Sequence, residues 1–296
     1  MISVVMPLFN AEDTIVRAIR SVLAIKMVGE LIVVDDGSKD SSVETVVKLK
    51  AEDDRLKFFT HENNQNKGAA ASRNVGIQKA KFDFVAFLDA DDWYLPNRFD
   101  NVYEYLISQS DVDGLYGVSK EVFASEKSKD LFFRSRNQII TKIGRDISSK
   151  DLFFAIFHGV DGEFHISTLT IRKVVLEDIG CFNEKIRNVE DTELFFRFTL
   201  KYKLISNGID FPISERLVHE NNSIHDFDSI RIQSNLMYKE LFVWSLSNEL
   251  KFEIKNLFFN RIDSLWSSHF IKLIKDFRFW AFLLKKILCN LKSGVK

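Results

Sequence analysis

Residues 84–93 read Phe-Val-Ala-Phe-Leu-Asp-Ala-Asp-Asp-Trp. The apolar run at 84–88 does not alternate between polar and apolar residues, which is typical of a strand buried on both faces of a sheet. Three carboxylates follow it, Asp89, Asp91 and Asp92, and such a cluster is unfavourable because like charges repel and burial desolvates them. A divalent cation relieves both costs, and the spacing of Asp89 and Asp91 lets them offer oxygen ligands on one side. The stretch predicts a buried strand ending at a Mg²⁺ or Mn²⁺ site, with a solvated acidic turn as the alternative.

Strand-like and helix-like segments alternate four times before residue 110. The predicted strands lie at 3–8, 31–34, 56–60 and 84–88. The predicted helices lie at 10–23, with Asn10 as the N-cap, and at about 41–50, 68–80 and 96–109. This alternation predicts an α/β fold, a parallel sheet with helices on both faces. Ligands of such sheets bind beyond the carboxyl ends of the strands, so we expect the segments 7–10, 35–38 and 89–92 to meet at one edge.

The chain after Gly114 is less regular. It predicts strands at 115–118, 131–134, 166–171, 204–211 and 217–218, helices at 172–179 and 191–201, and a charged mobile loop at 121–145. From about residue 229 the pattern is helical only. We therefore divide the chain into a domain at 1–225, with halves at 1–113 and 114–225, and a helical extension at 226–296.

The C-terminal segment 251–296 is basic, with ten Lys or Arg residues against three Asp or Glu residues. Apolar residues from Phe270 to Leu291 follow helical spacing and include Phe277 and Trp280. A basic helix with a wide apolar face is suited to lying in a membrane interface, so we expect peripheral contact with the inner face of the cell membrane. Packing on its own domain, or a homodimer formed through this segment, would explain the apolar face equally well.

The composition argues against several classes of protein. A chain of 296 residues with 46% hydrophobic residues is not of the disordered type, and a net charge of −1 argues against a nucleic-acid partner. Cys181 and Cys289 give no disulfide framework and suit a reducing compartment. The first residues lack the basic segment of a signal peptide, and no uncharged apolar run approaches the roughly 20 residues of a spanning helix. We therefore expect a cytoplasmic location.

Five motifs, in this order along the chain, resemble the inverting family 2 glycosyltransferases that build bacterial surface polysaccharides. They are Ser-Val-Val-Met-Pro-Leu-Phe-Asn at 3–10, Val-Val-Asp-Asp-Gly-Ser at 33–38, Gly-Ala-Ala-Ala-Ser-Arg-Asn-Val-Gly at 68–76, Leu-Asp-Ala-Asp-Asp at 88–92 and Glu-Asp at 190–191. The resemblance covers residues 1–224. It implies the GT-A fold, a Rossmann-like, mostly parallel central sheet, here followed by a helical extension.

The resemblance also implies an activity. It is the metal-dependent transfer of a hexosyl or N-acetylhexosaminyl group, with inversion, from a nucleotide-sugar, expected to be a UDP-sugar. The acceptor would be a hydroxyl of a glycan or lipid-linked glycan in capsule, O-antigen or lipo-oligosaccharide synthesis. Segment 114–162 would select the donor sugar.

The roles of the donor-side residues follow from the same resemblance. Asp91 would be a direct ligand of Mn²⁺ or Mg²⁺, and Asp89, next to Ala90, would contact the ribose or the metal shell. Asp36, beside Asp35, would accept the imino hydrogen of uracil. The remaining donor contacts would come from Pro7, Phe9, Asn10 and Arg73. A structural salt bridge to a carboxylate at the sheet edge is the alternative for Arg73, and support of the loop is the alternative for Asp92.

The acceptor side is expected to carry the base. Inversion requires a carboxylate that removes the proton from the attacking hydroxyl, and the resemblance assigns this role to Asp191, with Glu190 as a weak acceptor contact. His219 would be a metal or phosphate ligand, with His225 a weaker candidate and the other four histidines incidental. Trp93 would either stack on an acceptor sugar or pack in the core.

Three other functions fit parts of the pattern. A nucleotidyltransferase also uses paired aspartates beside a parallel sheet, but the first strand is followed by Leu-Phe-Asn-Ala at 8–11 rather than by a Gly-rich basic loop. A phosphatase that used the acidic motif as its nucleophile would carry it after the first strand rather than the fourth. A non-catalytic sugar-binding or lipid-binding module of the same fold remains, although all the expected carboxylates are present.

Overall fold

The computed structural model describes residues 1–134, 140–144, 147–208, 210–220, 222 and 226–264. The chain divides into two compact units, Met1–Phe227 and Asp228–Lys296. The strands of the first unit are β1 (Ile2–Leu8), β2 (Val28–Asp35), β3 (Leu56–Thr60), β4 (Phe84–Phe87), β5 (Trp93–Tyr94), β6 (Gly114–Tyr116), β7 (Val118–Phe123), β8 (Ile140–Thr141), β9 (Thr170–Arg172), β10 (Leu204–Ser206) and β11 (Pro212–Val218). Its helices are α1 (Ile15–Leu23), α2 (Ser42–Lys50), α3 (Ala69–Lys79), α4 (Val102–Ser108), α5 (Glu126–Phe133), α6 (Ser149–His158), α7 (Lys173–Ile179) and α8 (Glu190–Lys201).

The main sheet has the strand order β10-β6-β9-β4-β1-β2-β3. The strands β1, β2, β3 and β4 pair in parallel, because the chain leaves each of the first three and returns to the sheet through α1, α2 or α3. Strand β9 runs antiparallel between β4 and β6, so the sheet is mostly parallel. The central strands are inaccessible to solvent, as at Val4, Val33 and Ala86, which explains their long apolar runs.

A second, smaller sheet has the order β5-β11-β7-β8. Its first two strands pair antiparallel, with Trp93 opposite Glu215 and Tyr94 opposite Ser214. The chain thus enters this sheet directly after the acidic stretch 89–92. This arrangement places the carboxyl end of β11, which finishes at Val218, close to the carboxyl end of β4.

The irregular half corrects several predictions. Residues 131–134 are not a strand, because helix α5 covers Glu126–Phe133 after a capping box between Ser125 and Ser128. The predicted loop at 121–145 is instead occupied by the end of β7, α5 and β8 over its described residues. The strand predicted at 166–171 begins with a 3₁₀ turn and becomes β9 only at Thr170.

Predicted helix boundaries also change. Helix α1 begins after Thr14, so Asn10 is not its N-cap. Asn10 instead has a positive φ of 48° in the turn that leaves β1. Helix α4 begins at Val102, later than the position predicted from Pro96.

Gly76 sets the distance between helix α3 and strand β1. A Cβ atom at this position would lie 2.2 Å from Cγ1 of Val5, a β-branched side chain in the middle of the sheet. Gly76→Ala is therefore expected to lower the free energy of unfolding by about 1–2 kcal/mol, because overpacking outweighs the gain in helix propensity. Denaturant unfolding measures this change. Gly144→Ala is the matched control, since its Cβ would meet nothing closer than 3.5 Å, and equal destabilisation of both variants would contradict the expectation.

The second unit contains α9 (Phe227–Ser247), apart from its first residue, and α10 (Phe252–Ser264). Most of the basic amphipathic segment predicted at 251–296 lies outside the described residues, so its membrane and dimer contacts stay predictions. Among the residues described, no helix combines the length and the apolar character needed to cross a bilayer.

Candidate active site

The acidic stretch forms a tight turn after β4. The amide of Asp92 donates to the carbonyl of Asp89 at 3.1 Å, and the Thr14 hydroxyl donates to the carbonyl of Ala90 at 2.9 Å. The Asp89 and Asp91 side chains are about one third exposed. Both carboxylates are therefore held by a fixed backbone at the sheet edge, where solvent and ligands reach them.

Asp92 has a different role in the turn from its neighbours. Its buried carboxylate accepts a hydrogen bond from the amide of Leu217 in β11 at 3.0 Å, and its other oxygen lies 3.7 Å from Nδ1 of His165. Burial, together with the nearby Asp91 and Asp89, raises the pKa of Asp92 well above its ordinary value. Asp92 thus ties the acidic turn to the second sheet, which favours the supporting role over a ligand role.

His219 directly follows β11 and reaches the acidic turn. Its Nε2 lies 3.3 Å from Oδ2 of Asp91, and the Asn222 amide nitrogen lies 3.5 Å from the same oxygen. The structure therefore brings together Asp91 and His219, both predicted as metal ligands. His225 lies outside the described residues.

A second group of possible metal-ligand atoms lies beside Asp91 and His219. Single ligand atoms of Asp89, Asp92 and His165 lie within 4.8 Å of one another. His165, predicted to be incidental, lies beside the acidic turn. It lies between α6 and β9, far from the acidic turn in sequence, and no local motif marks it.

The loops after β1 and β2 are joined by hydrogen bonds. The Asn10 amide donates to the Ser38 hydroxyl at 3.0 Å, and the Asn10 side-chain oxygen accepts from the Lys39 amide at 2.8 Å. Phe9, beside this link, exposes 49% of its surface, whereas Pro7 remains paired with Val34 inside the sheet. The two loops form one rigid rim with an exposed aromatic ring.

Asp35 ends β2 and Asp36 follows it, and both carboxylates accept backbone hydrogen bonds. The Asp35 carboxylate accepts from the amide of Gly37 at 3.0 Å and so closes a turn after β2. The Asp36 carboxylate accepts from the amides of Lys67 at 2.6 Å and Gly68 at 2.9 Å, directly before α3. A carboxylate has about four lone-pair sites, so these bonds leave acceptor capacity for a ligand.

Helix α8 presents Glu190 and Asp191 in its first turn. Oδ1 of Asp191 accepts a hydrogen bond from the amide of Thr192 at 2.7 Å, and burial raises the pKa of Asp191. Glu190 is buried, and burial raises its pKa to about 7 despite the opposing charge of Arg73. Asp191, unlike Glu190, remains partly exposed to solvent.

Arg73 of α3 joins the two acidic segments. Its guanidinium donates to Oε1 of Glu190 at 2.7 Å and to Oδ1 of Asp89 at 2.6 Å, and its side chain is only 4% exposed. Burial favours the neutral form of Asp89, but the charge of Arg73 outweighs it and holds the pKa of Asp89 below its ordinary value. The salt-bridge alternative for Arg73 therefore describes its contacts in this structure.

Residues 3–162 match a known family model, described as glycosyl transferase family 2. The chain belongs to glycosyl transferase family 2.

Curated glycosyltransferases resemble parts of the chain. An uncharacterized glycosyltransferase of Rickettsia typhi is 30% identical over 199 residues, which are 67% of this chain and 58% of that protein. The Escherichia coli protein named UDP-Glc:alpha-D-GlcNAc-diphosphoundecaprenol beta-1,3-glucosyltransferase WfgD is 36% identical over 118 residues, 40% of this chain and 45% of that protein. The chain spans about half the length of the curated relatives it matches.

A solved structure supports the fold. S. aureus TarS 1–349, crystallised in complex with UDP-GlcNAc, superposes with a TM-score of 0.66 at 19% identity, covering 90% of this chain and 73% of that chain. Together with the mostly parallel sheet, this similarity confirms the predicted GT-A fold class.

The Trp93 ring is buried in this structure and is not accessible to an acceptor sugar. The side chain is 5% exposed, its Nε1 donates to Oε2 of Glu215 at 2.6 Å, and the Arg17 guanidinium carbon lies 3.2 Å from the ring centroid. The packing alternative for Trp93 therefore fits better than the acceptor contact. Glu190, the other predicted acceptor contact, faces Arg73 instead.

Proposed function

We propose that this family 2 member is a metal-dependent, inverting glycosyltransferase that uses a UDP-sugar. It transfers a hexosyl or N-acetylhexosaminyl group to a hydroxyl of a glycan or lipid-linked glycan in surface-polysaccharide synthesis. One observation carries the proposal: Arg73 links the loop of Asp89 and Asp91 to the first turn of α8, which carries Asp191. A donor-side acidic loop and an acceptor-side carboxylate are thereby held at one sheet edge.

The donor-side residues suit a nucleoside diphosphate. Phe9 supplies an exposed ring at the rim formed by the loops after β1 and β2, and Asp36 retains acceptor capacity for the imino group of a base. Asn10 and Asp35 shape this rim through side-chain oxygens that accept from backbone amides, and Pro7 through its place in β1. The relatives named above support a nucleotide-sugar, since WfgD is named for UDP-Glc and TarS was crystallised with UDP-GlcNAc.

The ligand atoms of Asp91 and His219 suit a divalent cation. Asp91 and His219, with one carboxylate oxygen and one imidazole nitrogen 3.3 Å apart, form a set that suits Mn²⁺ better than Mg²⁺. A cation held there would neutralise the charge of the departing diphosphate. Asp92 and Leu217 fix the backbone on which both ligands depend.

Asp191 is the residue that moves a proton in this proposal. Its carboxylate removes the proton from the acceptor hydroxyl while that oxygen forms the new bond to the anomeric carbon. The bond from that carbon to the diphosphate oxygen breaks, and UDP leaves on the opposite face. The proton remains on Asp191 until solvent accepts it.

A release assay tests the proposed function. UDP release is measured from a panel of UDP-sugars with Mn²⁺ and then with excess chelator. We expect release from one donor at least, stimulated by acceptor glycan and suppressed by the chelator. If no UDP is released from any donor, with Mn²⁺ or with chelator, the non-catalytic module is favoured.

Substitutions of two histidines distinguish the two groups of possible metal ligands. His219→Ala is expected to raise the Mn²⁺ concentration for half-maximal activity by about tenfold or more, because a direct ligand is lost. His165→Ala, the matched control, should leave that concentration unchanged. A Mn²⁺ titration measures both variants, and the reverse result would move the ion to the group of Asp89, Asp92 and His165.

A further inference from the structure

The guanidinium of Arg73 bridges two carboxylates from different segments. Its two terminal nitrogens donate to Asp89 and to Glu190, at 2.6 Å and 2.7 Å, inside the protein. Buried charge-assisted hydrogen bonds of this length are strong and directional, and the planar guanidinium fixes the angle between its partners. The three side chains therefore act as a rigid link between the loop after β4 and helix α8.

Helix α3 provides the platform for this link. Gly76 lets α3 pack closely on β1, and Asn74 exchanges two hydrogen bonds with the backbone of Phe182, at 2.9 Å and 3.0 Å. The Phe182 ring in turn lies below the Arg73 guanidinium, 5.3 Å from it. The segment leading into α8 is thus docked on α3 at two neighbouring positions, Arg73 and Asn74.

We infer that Arg73 and Glu190 are positioning residues, which hold Asp191 in line with the donor-binding loop without contacting the donor or the acceptor themselves. The inference rests on the proposed function, because it assigns Asp191 the role of base. Glu190 directly precedes Asp191 in the first turn of α8, so a shift of Glu190 moves the base. A displacement of about 1 Å between reacting groups costs about 10²-fold in rate.

A direct donor contact is the competing role for Arg73. Its Nε–H is buried and has no hydrogen-bond partner among the described residues, so a ligand oxygen would be a suitable acceptor. The two roles predict different losses. A positioning residue affects kcat, whereas a residue that binds the diphosphate affects the affinity for UDP.

The test compares Glu190→Gln and Arg73→Lys with a matched control on the same helix. Glu193→Gln breaks a second buried pair in α8, between Glu193 and Arg197 at 2.6 Å, one turn further from the site. The measurements are kcat for transfer, the Kd of UDP with Mn²⁺ by calorimetry, and the midpoint of unfolding.

We expect Glu190→Gln and Arg73→Lys to lower kcat by about 10²-fold and to leave the Kd of UDP unchanged. Glu193→Gln should lower the unfolding midpoint without a comparable loss of kcat. A tenfold or larger rise in the Kd of UDP for Arg73→Lys, about the value of one charged hydrogen bond, would overturn the inference in favour of donor contact.

Equal losses of kcat in Glu190→Gln and Glu193→Gln would overturn the inference in a different way, because the pair would then be merely structural. Glu190→Gln alone decides the matter if Arg73→Lys does not fold. If the wild-type protein releases no UDP from any donor, the proposed function fails first, and that result differs from every outcome above.

Discussion

The Asp191→Asn variant is expected to lose transfer activity by about 10³-fold while keeping the wild-type affinity for UDP. The amide has the same shape as the carboxylate and still accepts the hydrogen bond from the amide of Thr192, so the start of α8 is preserved. It cannot, however, take a proton from the acceptor hydroxyl. Initial rates of transfer and calorimetric titration with UDP and Mn²⁺ measure the two quantities.

Asp178→Asn is the control for this substitution. Asp178 is an exposed carboxylate on α7 that pairs with Lys201, so its loss should change neither rate nor affinity appreciably. Retained turnover in Asp191→Asn would remove Asp191 from the chemistry, and lost UDP affinity would place it on the donor side.

The pH dependence of kcat follows from the same residue. Burial raises the pKa of Asp191, and only its ionised form is a base. The rate should therefore be full above this raised pKa and fall as the pH drops through it, about tenfold per pH unit below it. A profile of kcat whose acid limb lies within the ordinary range of an exposed aspartate would contradict the assignment.

Asp91→Asn is expected to lower the affinity for Mn²⁺, and the rate at fixed Mn²⁺, by at least about 10²-fold. A neutral amide oxygen is a much poorer ligand for a divalent cation than a carboxylate. The loss should extend to UDP affinity measured with Mn²⁺, because donor and ion bind together in this account. Activity and calorimetry across a range of Mn²⁺ concentrations measure the effect.

Asp92→Asn is the matched control one position further along the turn. The amide oxygen of Asn can still accept from Leu217, so the link to β11 survives and a smaller effect on Mn²⁺ affinity is expected. Equal losses in the two variants would mean that Asp92 shares the ion.

The regular half of the fold was predictable because its signals are local. Each of β1, β2 and β4 contains an apolar run, at 4–8, 31–34 and 84–87, and parallel pairing brings their carboxyl ends to one edge without further information. That geometry also accounts for the predicted approach of the loops that carry Asn10 and Asp36.

The irregular half depends on contacts distant in sequence. Strand β5 consists only of Trp93 and Tyr94 and exists through its pairing with β11, which no local pattern reveals. Helix α5 was mistaken for a strand because its apolar end, residues 131–133, is short and ambiguous between the two periods.

The same limit applied to the candidate site. The sequence left both roles open for Arg73, because its partner Glu190 is 117 positions away. The position of His165 beside Asp89 and Asp92, and the stacking of Arg17 on Trp93, were missed for the same reason. Motifs located the carboxylates, whereas side-chain partners required the packed structure.

The most direct test of the central claim is the anomalous diffraction of a crystal soaked with Mn²⁺ and UDP. The account predicts an anomalous peak at the Asp91 carboxylate and the His219 imidazole, with the diphosphate bound to the same ion. Ordered UDP elsewhere on the protein, with no peak beside Asp91, would contradict it.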